Sequence, residues 1–169
     1  MQPEAPAVIM AGSGITVSYA ALEDAANRGA QLLRHLGLKR GDAFAVWSGN
    51  NPRFLEIAWA MKRTGLYMVP IPSKFNAEEA AYLINDSGSR ILIVDAGLQH
   101  AAGMLAQLPE LCPGVEHVFA VCGDLSGLQR WETATLEMPA DLIDDPSLGQ
   151  AMVYSSGTTG KPKGVKHPL

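Results

Sequence analysis

The strongest constraint on the fold is an alternation between strand-length apolar runs and segments of helical period. Residues 43–48 (Ala-Phe-Ala-Val-Trp-Ser) and 91–94 (Ile-Leu-Ile-Val) carry no polar residue at every second position. A strand wet on one face alternates, so the continuous apolar run at 91–94 suits a sheet covered on both faces. Helical patterns lie around these runs. From Tyr19 onward, Leu22, Ala25, Ala26, Gly29, Leu32, Leu33 and Leu36 recur at spacings of three and four, with Ser18 placed to cap the helix and Gly37 to end it. Gly49-Asn50-Asn51-Pro52 is a turn that sets a proline at a first helical position, so a second helix is predicted over 53–64, with Gly65 as its left-handed terminus. Its Phe54, Leu55, Ile57, Ala58, Trp59 and Met61 leave little polar face, which predicts burial on most sides. Asn76 with Glu79 forms a capping-box pattern for a third helix to about residue 85, and Asp86-Ser87-Gly88-Ser89 breaks it. A weaker helix over 97–108 and a strand over 117–122 repeat the pattern. Strands and helices in this order, without a close internal repeat, imply parallel βαβ units: an α/β fold with an open, mostly parallel sheet and flanking helices.

The remaining segments are less regular. Residues 8–10 and 15–18 flank Ala11-Gly12-Ser13-Gly14 and predict a β-hairpin. Residues 66–69 read as a strand, and Pro70-Ile71-Pro72 as an extended connection, because each proline disfavours helix in the residue before it. Over 123–147, Gly, Ser, Pro and the acids Asp141, Asp144 and Asp145 replace periodic hydrophobics around an isolated Trp131, so an irregular excursion with one helical turn is expected. Residues 151–154 resume as a strand.

Composition narrows the function classes. With 169 residues, 47% hydrophobic and 18% charged, the chain can bury a real core. A net charge of -4 gives no basic footprint for nucleic acid, so an anion site must be local. Cys112 and Cys122 are the two cysteines, without a second pair at metal spacing, and both are expected to be reduced thiols. No basic region followed by an apolar one opens the chain, and no apolar run approaches the ~20 residues of a transmembrane span, so a cytoplasmic protein is expected.

The most informative segment follows the last strand. Residues 155–164 read Ser155-Ser156-Gly157-Thr158-Thr159-Gly160-Lys161-Pro162-Lys163-Gly164: four hydroxyls, three glycines and two lysines in ten positions. Triphosphate binding needs this mixture. Glycines let backbone N–H groups converge on an anion, hydroxyls donate to individual oxygens, and lysine neutralises charge. A plain Ser/Gly/Thr linker would not begin on an apolar strand or leave through Lys-Pro-Lys-Gly. A Walker A loop is excluded because Gly157 and Gly160 are too close and Lys161 precedes proline. No G-x-G-x-x-G follows an early strand, which argues against dinucleotide binding.

Residues 155–164 resemble the phosphate-loop signature of the AMP-forming superfamily: acyl-CoA synthetases, peptide-synthetase adenylation domains and firefly luciferase. Weaker resemblances run along the chain, through Val17-Ser18-Tyr19, Leu36-Gly37-Leu38, Gly41-Asp42, Gly49-Asn50-Asn51, the segment from Trp59 to Gly65, and Glu79 with Tyr82-Leu83-Ile84-Asn85-Asp86-Ser87. Caps, turns and core packing account for those segments, so they support the fold and not the site. Their order is similar to the N-terminal part of the large domain of such an enzyme, which makes 1–169 a partial domain with 154–165 as its phosphate-binding loop.

The resemblance implies ATP-dependent conversion of a carboxylic acid to an acyl-adenylate and then to an acyl-CoA, with ATP and coenzyme A as co-substrates. Ser155, Ser156, Gly157, Thr158, Thr159, Gly160 and Lys163 would hold the ATP phosphates; Lys163 matches the signature lysine, whereas Lys161 lies at a variable position. The residues from Lys166 to Leu169 look like those of bacterial acyl-CoA synthetases, which points to a fatty acid, and His167 is not carried over as the histidine that many members place after the loop. An aromatic against adenine, the acidic ligand of Mg²⁺, an aspartate on the ribose and a catalytic lysine are all expected beyond Leu169, in the remainder of the synthetase. No catalytic residue and no metal ligand is therefore expected within this chain, and the fragment alone should be inactive. An aryl-acid ligase or amino-acid adenylation domain, or a noncatalytic phosphate-binding module, are the alternatives.

Overall fold

The computed structural model describes residues 2–99, 101–155 and 162–169. Strands β1 (Pro6–Ile9) and β2 (Thr16–Ser18) pair antiparallel as the opening hairpin. Helix α1 (Tyr19–His35) follows, its Ser18 cap accepting from the Ala21 N–H, and Gly37 takes a positive φ just past its end. Next come β3 (Ala43–Ser48), α2 (Pro52–Thr64), β4 (Tyr67–Pro72), α3 (Ala77–Ser87), β5 (Ser89–Asp95), α4 (Ala101–Leu111) and β6 (His117–Val121). Beyond them lie β7 (Gln129–Arg130), α5 (Trp131–Leu136), β8 (Gln150–Ala151), β9 (Val153–Ser155) and β10 (Lys163–Val165).

Six strands form one open sheet in the order β7-β6-β5-β3-β4-β8, and every pairing in it is parallel. The fold class is α/β, as the alternation implied. Side chains of a strand point alternately to its two faces, and β3 shows what the unbroken run at 43–48 achieves. Phe44 and Val46 enter one core with Leu33 of α1, Ile57 and Met61 of α2 and Trp131 of α5. Ala43, Ala45 and Trp47 enter the other with Leu83 and Ile84 of α3 and Met104 and Leu108 of α4.

Several details differ from expectation. Helix α2 buries one face, through Glu56, Ile57, Ala60, Met61 and Thr64, while Leu55 and Trp59 stay 38% and 43% exposed. It packs on α1 and, through Ile57 and Met61, on the sheet, and the side carrying Leu55 and Trp59 is left exposed. Pro70 and Pro72 belong to β4 and pair in register with Val46 and Ser48. They are tolerated because β8 pairs with β4 only at Tyr67 and Met68, leaving a free edge where the prolines fall. The fourth helix starts later, at Ala101, and continues through Pro109 to Leu111. Within 123–147 the expected helical turn is the six-residue α5, but β7 also lies there and extends the sheet. Trp131 is a core residue, 2% exposed, edge-to-face with Phe119 at 5.8 Å between centroids. Local sequence showed no period there because the burial partners of Trp131 come from α1 and the sheet.

Candidate phosphate-loop site

Chain topology decides where a crevice can form. Strand β3 sends its chain into α2 on one face, while its neighbours β4 and β5 send theirs into α3 and α4 on the other. In open α/β sheets ligands bind where connections part in this way, beyond the carboxyl ends of the strands. Here the two sides of β3 differ. Between β3 and β5 the space is filled by Asp95, whose Oδ2 takes the Gly49 N–H at 3.3 Å and the Asn51 Nδ2 at 2.9 Å and lies 3.2 Å from Ser48 Oγ. Its Oδ1 takes the Gly97 N–H at 2.9 Å. Asn51 also caps α2 through Oδ1 to the Phe54 N–H, so one carboxylate fixes the whole 48–51 turn. Sequence reading missed Asp95; the available signal was an acid ending an otherwise apolar strand.

Between β3 and β4 the space is open. A cleft of about 790 Å³ lies there, with Ser48 and Asn50 on one side, Pro70 and Pro72 on the other, Lys74 near them, and Val153, Tyr154 and Pro162 among its lining. The expected strand at 151–154 splits to build this wall. Ala151 ends β8 in the main sheet, Met152 donates to the Met68 carbonyl at 2.8 Å, and Val153–Ser155 then leaves to pair antiparallel with Lys163–Val165.

In that hairpin Lys163 stands directly opposite Ser155, Gly164 opposite Tyr154 and Val165 opposite Val153. Alternation puts Tyr154 and Gly164 on the inner face and leaves Val153, Ser155, Lys163 and Val165 exposed on the outer. Two of the seven residues expected at the phosphates, Ser155 and Lys163, are thus brought together across the mouth of the loop. Ser156, Gly157, Thr158, Thr159 and Gly160, with Lys161, lie outside the described residues. The inner face is polar at its rim: the Tyr154 hydroxyl donates to Asp86 at 2.7 Å and the Tyr82 hydroxyl to the Pro162 carbonyl at 3.0 Å. Burial, then the Asp86 hydrogen bond and charge, push the Tyr154 phenol well above its usual range, so it remains a donor.

A family model described as AMP-binding enzyme matches residues 1–168. The chain belongs to this adenylate-forming family. Among curated members, it is 29% identical to a fatty acid–[acyl-carrier-protein] ligase, ScoC, of Streptomyces coeruleorubidus, over 97% of this chain and 30% of that protein. It is 32% identical to a crotonobetaine/carnitine–CoA ligase of Salmonella typhi, over 88% of this chain and 30% of the relative. The long-chain-fatty-acid–CoA ligase FadD13 of Mycobacterium tuberculosis is 29% identical over 99% of this chain and 32% of its own length. The chain therefore spans about a third of the length of the AMP-binding relatives it matches. Two solved structures share the fold: the anthranilate CoA ligase AuaEII in complex with anthranoyl-AMP (TM-score 0.80, 22% identity, 90% of this chain and 30% of that one) and a red-emitting luciferase of Phrixothrix hirtus (TM-score 0.77, 21% identity, 93% and 31%). No described helix is long and apolar enough to cross a membrane.

Proposed function

We propose that residues 155–163 hold the β- and γ-phosphates of ATP, and that the polypeptide to which they belong joins a carboxylic acid, a fatty acid in first place, to the α-phosphate and then passes the acyl group to coenzyme A. The observation that carries this is the cross-strand pairing of Ser155 with Lys163 on the outer face of a hairpin that walls the cleft at the carboxyl ends of β3 and β4.

In adenylation a carboxylate oxygen forms a bond to the α-phosphorus as the bond to the pyrophosphate oxygen breaks, and negative charge grows on the departing group. Lys163 Nζ and the Ser155 hydroxyl donate to that group, and an interaction that strengthens as the charge grows lowers the barrier. By residue type, the hydroxyls of Ser156, Thr158 and Thr159 and the unobstructed amides of Gly157 and Gly160 offer further donors. The hairpin's contribution is to fix where the pyrophosphate sits before it leaves.

Two measurements test the proposal. Titrating ATP and tripolyphosphate into the chain should show binding of both, and AMP should bind more weakly, because the loop takes the β- and γ-phosphates. A polypeptide extended to the length of the relatives should exchange pyrophosphate into ATP with fatty acids in preference to aromatic and amino acids, while residues 1–169 alone should exchange none. Equal affinity for AMP and ATP would refute the loop assignment. Preference for an aromatic acid would refute the acyl assignment.

A further inference from the structure

A two-stranded hairpin on its own is marginally stable, yet among the described residues β9 and β10 belong to no larger sheet. What holds them is α3. Tyr82 and Asp86 are four residues apart on that helix and so share one face. Each takes one foot of the loop: Asp86 accepts from the Tyr154 hydroxyl on β9, and Tyr82 donates to the carbonyl of Pro162, the residue before β10. Proline's ring already fixes φ at Pro162, so pinning its carbonyl sets the direction in which the chain enters Lys163.

The helix is a stiff platform. Its capping box is complete, with Asn76 and Glu79 exchanging hydrogen bonds of 2.9 Å, and Gly88 closes it in the left-handed conformation. Ala80, Leu83 and Ile84 seat it in the core. Gly164 completes the arrangement. A Cβ there would clash with Met152 Cε and stand 2.9 Å from Tyr154 Cζ, so the Tyr154 ring reaches Asp86 only because its cross-strand partner has no side chain. Beyond the hairpin, the Tyr67 hydroxyl donates to the His167 carbonyl and Lys166 Nζ lies 4.5 Å from the Tyr67 ring centroid, which ties the exit to β4.

We propose that Tyr82, Asp86 and Tyr154, with Gly164 as the seat of the Tyr154 ring, are positioning residues that hold both feet of the 155–163 segment at a fixed distance from the cleft. Their effect on nucleotide rests on the phosphate reading of that segment; their effect on the hairpin does not. Gly164 is thereby a packing residue and not a phosphate contact, and the Tyr82-to-Ser87 segment acts on the site through α3.

The test uses the whole chain without ligand, then with tripolyphosphate. Amide hydrogen exchange of residues 153–155 and 163–165 should accelerate about three- to tenfold in Tyr82→Phe, Asp86→Ala and Gly164→Ala, the size expected for one hydrogen bond lost. Amides of β3 and β5 should be unchanged. Asp86→Asn, which keeps an acceptor oxygen, should recover most of the loss. Tripolyphosphate affinity should fall by a similar factor in the same variants and recover in the same one. Hairpin exchange equal to wild type, or acceleration spread evenly over all strands, would overturn the proposal. Accelerated hairpin exchange in a wild-type background that binds no tripolyphosphate would sustain the strut and refute the phosphate assignment instead.

Discussion

Replacing Lys163 with Gln isolates the charge that the phosphate assignment requires. Lys163 is exposed on the outer face of β10 opposite Ser155, so its ammonium meets any anion in a largely aqueous setting. A unit charge pair at 4 Å is worth about 1 kcal/mol at the dielectric of water and about 4 kcal/mol at an effective value of 20. Exposure favours the lower end, and about 1.4 kcal/mol corresponds to about a tenfold loss of tripolyphosphate affinity. Calorimetric titration in about 20 mM salt should show it; in about 1 M salt, where the Debye length is about 3 Å, wild type and variant should nearly coincide. Within the extended enzyme, in a cleft shielded from water, the same charge acts on the leaving group, and adenylation should slow about a hundredfold, as for the loss of one preorganised donor. Lys161→Gln should change both quantities little. Equal small effects at the two lysines, or a Lys163 effect insensitive to salt, would refute the assignment.

Other perturbations test the surrounding structure. Trp131→Ala removes a ring that is 2% exposed and edge-to-face with Phe119, and should lower unfolding free energy by about 3–5 kcal/mol in urea titration; a cost below about 1 kcal/mol would mean that α5 is not part of the core. Gly65→Ala puts a side chain at φ 64° and a Cβ 2.9 Å from Arg40 Cγ, with Ser147 Oγ closer still, and should cost about 2 kcal/mol or more by the same measurement. Although Cys122 is an exposed residue, partial desolvation of its thiol, then the nearby charges of Asp95 and Glu132, push it from an ordinary 9.0 up to about 11. At pH 8.5 its thiolate fraction, and hence its iodoacetamide rate, should be about a hundredfold below that of an unperturbed thiol, still climbing at pH 10; a plateau below pH 9.5 would contradict this. By linkage the folded state binds this proton more tightly than the unfolded chain, so its contribution to stability is lost as pH rises from 9 towards 11.

Much of the architecture was legible because it is written locally. Ser18 and Asn76 cap helices through hydrogen bonds to backbone N–H groups three residues ahead, and Gly65 and Gly88 end helices through their own φ, so a short window of sequence suffices. The apolar run in β5 announced a sheet buried on both faces because burial acts on every residue of such a strand. The loop's residue types suggested the proposed chemistry for the same reason: hydroxyls, glycines and lysine are what an anion would need wherever the fold puts them.

Tertiary structure decided everything that depends on partners distant in sequence. That Trp131 is core, that prolines can sit in β4, and that α2 leaves Leu55 and Trp59 exposed follow from what packs beside them. Asp95 closes one side of β3 and leaves the other open because strand order makes β5 its neighbour there, although 47 positions separate Asp95 from Ser48. The pairing of Tyr154 with Asp86 spans 68 positions and that of Tyr82 with Pro162 spans 80. Sequence determined which groups could bind a phosphate; which of them stand together, and on what support, was settled by strand order and packing, since hydrogen bonds and excluded volume depend on distance in space and not along the chain.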